Sequence, residues 1–214
     1  YGKNLDRNIE DLVQRLKNKS FKPLPSLRVY IPKGNGKMRP LGIASYEDKI
    51  VQMAVKEVLE AIYEPRFLNC MYGFRPNRGW HGAVKEVYKR NSYGKISYIV
   101  DADIKGFFDN VSHGKLLKQI WTLGIRDKRL ICIISAMLKA EVAGIGFPEK
   151  GTPQGGIISP LLSNIVLNEL DWWIASQWEE IPTKHDYSGR IHTTGTKDKS
   201  KKYRAPRSTK LKEC

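Results

Sequence analysis

The apolar positions of this chain fall into helical and extended stretches punctuated by proline and glycine. Leu5, Ile9, Leu12, Val13 and Leu16 recur at the spacing of one helix face. Residues 5–17 are therefore expected to open the chain as an amphipathic helix, ended by Pro23 and Pro25. Leu27, Arg28, Val29, Tyr30 and Ile31 read as a strand, and Leu41, Gly42 and Ile43 as its return partner. Asn35-Gly36 between them is a hairpin signal, because both residues tolerate the positive φ of a tight turn. The broadest apolar face lies over residues 46–63, on Ile50, Val51, Ala54, Val55, Val58, Leu59 and Ile62, and Pro65 stops it. A polar link from Tyr72 to Gly79 leads into a further helical pattern over 80–90. The run from Tyr98 to Ile104 predicts a short buried strand, and helices are expected over 113–123 and 127–140. Gly144 to Gly156 forms a Gly/Pro-rich loop with room for a short hairpin, and a helix near 157–173 follows. No internal repeat is visible.

At 214 residues the chain is long enough for one or two compact units with a core of their own. It contains no run of 18 apolar residues, so no membrane span is expected. The first residues show no signal-peptide pattern, and the absence of Met at residue 1 suggests that it is not the native start. Cys70, Cys132 and Cys214 lie far apart, with no CxxC pair, which predicts free thiols rather than a zinc site. Free thiols point to a reducing compartment, and the location expected is cytoplasmic, a bacterial cytoplasm or else an organelle.

A net charge of +15 changes the picture more than any of these features. It favours polyanionic partners, nucleic acid or an anionic surface, although a solvated basic face or a ribosome-like scaffold would carry the same excess. From Thr183 to Cys214 there are ten Lys or Arg against three acidic residues and few apolar anchors, which reads as a basic, poorly ordered tail or insertion.

Three segments carry candidate chemistry. In the first, a strand ending at Ile104 would present Asp101 and Asp103 on one face, because strand side chains alternate, with Asp109 following Phe107-Phe108. Carboxylates at a strand end suit Mg²⁺ and a two-metal phosphoryl transfer. The competing reading makes one Asp the cap of the next helix, which the Asp109-Asn110 pair favours, and pairs another with a lysine. The second segment runs from Gly151 through Gly155-Gly156 to Asn164. Its glycines permit close backbone approach to a flat ligand or phosphate, and a plain loop-to-helix junction has the same pattern. The third is the hairpin tip with Lys33, Lys37 and Arg39, cations that hold phosphate or are simply solvated.

Taken in order, these segments resemble the successive motifs of group II intron-encoded reverse transcriptases (maturases), and more distantly retron and retroviral enzymes. The matching pieces are Ile31-Pro32-Lys33, Met38-Arg39-Pro40-Leu41-Gly42-Ile43, Tyr63-Glu64-Pro65-Arg66-Phe67 and Tyr72-Gly73-Phe74-Arg75-Pro76. They continue in Asp103-Ile104-Lys105-Gly106-Phe107-Phe108-Asp109 and in Thr152-Pro153-Gln154-Gly155-Gly156-Ile157-Ile158-Ser159-Pro160. The resemblance covers roughly residues 5–180.

It implies an α/β (α+β) fold of the right-hand polymerase type, with mostly helical fingers bearing a β-hairpin and a partial palm of antiparallel strands. Residues 1–95 would be fingers, 96–180 partial palm, and 181–214 a basic insertion, with the fingers–palm boundary near 90–97. By the same resemblance Asp103 is the catalytic residue, and Asp103 with Ile104 holds Mg²⁺ in a two-metal site. Phe108, or Phe107 beside it, gates against the ribose 2′-hydroxyl. Gln154 lies against the incoming nucleotide or primer end with Gly155 allowing close approach, and Lys33 and Arg39 hold the triphosphate. Lys37, Arg75 and Pro153 contact RNA or template, with a structural carboxylate pair as the other reading of Arg75. The implied partners are intron RNA, an RNA template with DNA primer, and dNTPs, with pairing of two copies left open. The implied function is RNA-directed DNA polymerisation with assistance to splicing; the alternatives are a non-catalytic RNA-binding maturase fragment or a retron or diversity-generating enzyme. The family's later Tyr-x-Asp-Asp hairpin does not occur in these residues, so the chain is expected to hold an incomplete metal site and to be inactive alone.

Overall fold

The computed structural model describes residues 1–32, 34, 36–93 and 99–177, with the backbone of 189–191 and 202–204. Lys33, Asn35, Tyr98 and most of the basic stretch from Thr183 to Cys214 lie outside the described residues. The elements are α1 (Leu5–Lys17), β1 (Leu27–Pro32), β2 (Met38–Ile43), α2 (Tyr46–Tyr63), α3 (Trp80–Tyr93), α4 (Phe107–Asn110), α5 (His113–Thr122), α6 (Lys128–Leu138) and α7 (Ser159–Ala175). Two three-residue strands, β3 (Gly189–Ile191) and β4 (Lys202–Arg204), pair antiparallel with each other. The fold is thus mostly helical with small antiparallel sheets. The chain divides into two compact units, Tyr1–Tyr63 with Ile104–Val166, and Glu64–Asp103 with Leu167–Cys214.

In the first unit the expected hairpin forms, with Leu27 opposite Ile43, Arg28 opposite Gly42 and Ile31 opposite Arg39. Its base is fixed by Ser26, whose N–H donates to Glu141 O at 2.8 Å and whose carbonyl accepts from Ala143 N–H at 2.9 Å. The partner segment, Val142 to Gly146, is a tight turn in which Gly144 and Gly146 take φ of 78° and 100°. α2 buries Val51, Val55, Leu59 and Tyr63 and packs against α6, which contributes Ile134, Met137 and Leu138 and in turn packs on α5 with Leu116 and Ile120. Each such side chain contributes about 1.5–3 kcal/mol when fully withdrawn from water. α1 adds only Leu12 to this core, while Leu5 and Val13, which share its apolar periodicity, remain exposed. It is tied to α2 by the Arg15 guanidinium, 2.7 Å from Glu47 and 2.7 Å from Asp11.

The starts of α2, α5 and α6 follow capping chemistry. Ser45 caps α2: Asp48 N–H donates to Ser45 Oγ at 3.1 Å, and Ser45 Oγ–H donates to Asp48 Oδ2 at 2.7 Å. Asp48 also accepts from Leu24 N–H at 3.1 Å, which anchors the entry to the hairpin. Ser112 caps α5 and Asp127 caps α6. Asp109 is therefore not the cap that its Asp-Asn context predicts; it lies inside α4, and Ser112 supplies the oxygen at the helix start because its backbone is extended there.

The strand expected over 98–104 is not formed at 99–104, where the backbone is irregular and Ile99 and Val100 are 69% and 88% exposed. An extended segment needs a neighbour for its N–H and C=O groups, and among the described residues no strand pairs with this one.

The second unit is organised around Arg75, whose side chain is 4% exposed. Its guanidinium clamps Glu64, with Nε and Nη2 at 3.0 and 2.7 Å from Oε1, and Nη1 donates to the carbonyls of Leu68 at 2.7 Å and Met71 at 2.9 Å. Arg78 closes the same loop on Asn69, at 2.6 Å to its carbonyl and 2.9 Å to Oδ1. No residue of α3 is buried.

Candidate functional site

The loop from Gly151 to Gly156 organises the first unit's share of the candidate residues. Gly151 N–H donates to Val111 O at 2.7 Å, and Thr152 N–H donates to Phe108 O at 2.8 Å. The buried His113 ring places Nε2 2.7 Å from Gly151 O. These bonds bolt the Phe107-Phe108-Asp109 turn to the loop. The two rings meet edge to face, 5.9 Å between centroids and 73° between planes, and both are half-buried. Gly106 opens this turn at φ 62°, a left-handed conformation that glycine adopts without the Cβ penalty.

Further along, Gln154 O accepts from Gly42 N–H at 2.7 Å, so the loop seats directly on β2. A Cβ at Gly155 would stand 3.1 Å from Gly42 O, on a backbone with φ +99°. A Cβ at Gly156 would stand 2.7 Å from Ser159 Oγ and 3.3 Å from Gln52 Oε1. Gln52, buried on α2, accepts from Ile157 N–H at 2.8 Å, and Ser159 Oγ–H donates to Pro153 O at 2.8 Å. The two glycines thus serve the junction of loop, hairpin and helices. Gly156→Ala is expected to destabilise the first unit by about 1–3 kcal/mol through displacement of Ser159. Urea unfolding monitored against wild type checks this.

A cavity of about 300 Å³ opens beside this junction, lined among others by Arg28, Gln52, Asp109, Lys150, Thr152 and Gln154. Lys150 Nζ donates to Asn110 Oδ1 at 2.9 Å, so the lysine meets the amide and not a carboxylate of the Asp-Asn pair. Arg39 and Lys37 are exposed on the hairpin, Pro153 is half-buried, and Lys33 lies outside the described residues. The first unit therefore gathers Arg39, Phe107, Phe108, Pro153, Gln154 and Gly155 on one hydrogen-bonded scaffold. Sequence reasoning did not single out Gln52, Asp48 or His113, which hold that scaffold; Ser45-x-x-Asp48 before an apolar run was the available signal for one of them.

Asp103 closes the second unit's first segment and is exposed, as are Asp101 and Ile104. Among the described residues no group of three or more His, Cys, Asp or Glu is gathered as a metal ion would need. Arg75 has its fork consumed by Glu64, Leu68 and Met71, so the carboxylate pair, and not a template contact, is what its geometry displays.

Residues 31–191 match the protein family described as Reverse transcriptase (RNA-dependent DNA polymerase). The chain is 43% identical over 178 residues to the group II intron-encoded protein LtrA of Lactococcus lactis subsp. cremoris, covering 79% of this chain and 28% of that protein. It is 40% identical over 164 residues to protein YkfC of Escherichia coli (strain K12), covering 74% of this chain and 43% of the relative. With nuclear intron maturase 2, mitochondrial, of Arabidopsis thaliana it shares 29% identity over 186 residues, covering 66% and 25% of the two chains. Among solved structures, a chain of the partial Cas6-RT-Cas1–Cas2 complex superposes with a TM-score of 0.50 at 22% identity, over 82% of this chain and 30% of that one. The chain thus spans roughly a quarter to two-fifths of the relatives named.

Proposed function

Because the chain belongs to the reverse transcriptase (RNA-dependent DNA polymerase) family, we propose that it is the fingers and partial palm of a group II intron reverse transcriptase that also assists splicing. The observation that carries this reading is the 2.7 Å bond from Gly42 N–H to Gln154 O. It supports a common frame for the hairpin cation Arg39 and the Pro-Gln-Gly loop, the two parts that must hold opposite ends of one nucleotide.

On this reading residues 1–95 are fingers and 96–180 palm. Arg39 holds the triphosphate, a task suited to a planar guanidinium fork. Phe108, seated by Thr152, packs against the sugar with Phe107 behind it, and Gln154 meets the base or primer end. Asp103, with the Ile104 carbonyl, would hold Mg²⁺; hard oxygen donors are what that ion takes, although the described residues do not supply a full set. Bound there, Mg²⁺ supplies activation of a primer hydroxyl and charge neutralisation at the α-phosphate. The partners are RNA template with DNA primer, dNTPs and intron RNA. No helix among the described residues is long and apolar enough to cross a membrane. The contact with intron RNA falls on the flanks of α1 more than on the helix, since Leu5–Lys17 carries three bases against three acids while Lys19 and Lys22 follow it.

RNA-templated primer extension with Mg²⁺ tests the proposal, comparing this chain with one extended through about 100 further residues of its gene, one further domain's worth. Extension by the longer chain is expected; silence of both, with salt-dependent RNA binding retained, would leave an RNA-binding maturase without polymerase chemistry. In an active chain Arg39→Ala is expected to raise the KM for dNTP on the order of tenfold with a smaller change in kcat, as lost ground-state phosphate contacts do. Steady-state kinetics over dNTP concentration checks it.

A further inference from the structure

The corner where α5 turns into α6 carries charge that the proposed site does not use. Between Ser112 and Leu138 stand Lys115, Lys118, Arg126, Lys128 and Arg129 against a single carboxylate, Asp127. That carboxylate is spent on the α6 cap, accepting from Arg129 N–H at 2.7 Å and Leu130 N–H at 3.4 Å. Lys118, Arg126, Lys128 and Arg129 are all exposed, and none makes an ion pair among the described residues.

The backbone beneath them is fixed. Leu123 N–H donates to Gln119 O at 3.0 Å, Gly124 N–H to Trp121 O at 3.1 Å and Ile125 N–H to Ile120 O at 3.3 Å. Gly124 takes φ +109°, and the Ile125 side chain is buried. A five-residue connection so pinned brings Lys118, in the last turn and a half of α5, to the same end of the helix pair as Arg126, Lys128 and Arg129. Trp121, at i+3 from Lys118 on α5, is exposed at this end as well. Cations on a rigid turn beside an exposed aromatic ring are the equipment of a nucleic-acid surface: charge for the phosphates and a face for an unpaired base.

We propose that this α5–α6 corner is a second nucleic-acid contact, which grips the phosphate backbone of a strand outside the nucleotide site. It rests on the reverse transcriptase reading only in taking the ligand to be nucleic acid. The phosphate chemistry is common to a template–primer duplex and to a folded RNA, so both serve as probes.

The test replaces Lys118, Arg126, Lys128 and Arg129 together by glutamine, which keeps helix propensity and removes the charge. A control replaces Lys49, Lys85, Lys89 and Lys139 by glutamine, the same loss of charge placed elsewhere. Fluorescence anisotropy is recorded from 0.05 to 0.3 M salt with an RNA–DNA primer–template duplex and with a folded RNA lacking a primer end. The corner variant is expected to bind at least one probe about tenfold more weakly at 0.15 M salt, with log K against log salt shallower by about 2–4, while the control changes far less. Loss confined to the folded RNA assigns the corner to RNA; loss confined to the duplex assigns it to the template–primer. Equal weakening in both variants overturns the corner, since net charge alone would then account for it. Wild-type binding by the corner variant also overturns it and leaves the polymerase reading untouched, whereas failure of the wild-type chain to bind either probe removes both.

Discussion

Asp103→Ala, made in a chain long enough to extend a primer, is expected to slow nucleotide incorporation at least a thousandfold, about 4 kcal/mol of transition-state stabilisation. The size follows from the proposed role: a carboxylate that would hold a metal activating the primer hydroxyl and neutralising charge at the α-phosphate has no substitute among neutral side chains. Asp103 is exposed and takes part in no hydrogen bond or ion pair among the described residues, so its removal should leave unfolding within about 0.5 kcal/mol of wild type. That pairing of outcomes separates a catalytic loss from a folding loss. Asp101→Ala serves as the comparison. The two carboxylates would share a face only in a strand, and 99–104 is not one here, so Asp103 stands on its place in the Asp-Ile-Lys-Gly-Phe-Phe-Asp motif alone. Asp101→Ala is accordingly expected to retain more than a tenth of the activity. Single-turnover extension in Mg²⁺ checks both, and an Asp103→Ala protein working within tenfold of wild type would sink the assignment.

What the sequence made legible is the part governed by local rules. α2, α5 and α6 lie within two residues of the segments read from apolar periodicity, because each has a capping side chain at its start (Ser45, Ser112 and Asp127) and a broad apolar face that a partner helix covers. The hairpin was legible because two runs of strand-forming residues flank a Gly-containing turn, and they pair with Leu27 opposite Ile43 and Pro32 opposite Met38. Residues 99–104 depart from the strand expected of them because a strand is not a local object. Valine and isoleucine favour extended backbone, but only a neighbouring strand supplies the hydrogen bonds, and no described strand lies alongside. The candidate residues were legible by motif, and their supports were not. Nothing in the sequence marks Gln52 as the acceptor for Ile157 N–H, 105 positions away. Nor does it show that Gly155 and Gly156 are required by Gly42 and Ser159 before any nucleotide arrives.

Arg75→Ala is expected to destabilise the second unit by about 3–4 kcal/mol, in the range found when one partner of a buried ion pair is removed. The arginine is almost wholly buried, whereas Glu64 is 29% exposed, so part of the carboxylate's loss is recovered by water and the estimate sits low in that range. The carbonyls of Leu68 and Met71 lose a charged donor at the same time, and Phe67 loses the guanidinium 5.4 Å above its ring. Arg75→Lys keeps the charge but not the fork: one ammonium reaching Glu64 cannot also serve both carbonyls, so most of the destabilisation should remain. Two readings of the Tyr-Gly-Phe-Arg-Pro motif part company here. If Arg75 contacted template, Arg75→Ala would weaken RNA binding and leave stability alone. If it is the organiser that its bonds describe, amide hydrogen exchange over residues 64–78 should accelerate at least a hundredfold, while RNA affinity at a temperature where the variant stays folded changes less than threefold. The magnitudes are those of the same free energy read as an opening equilibrium, with 1.4 kcal/mol to each factor of ten.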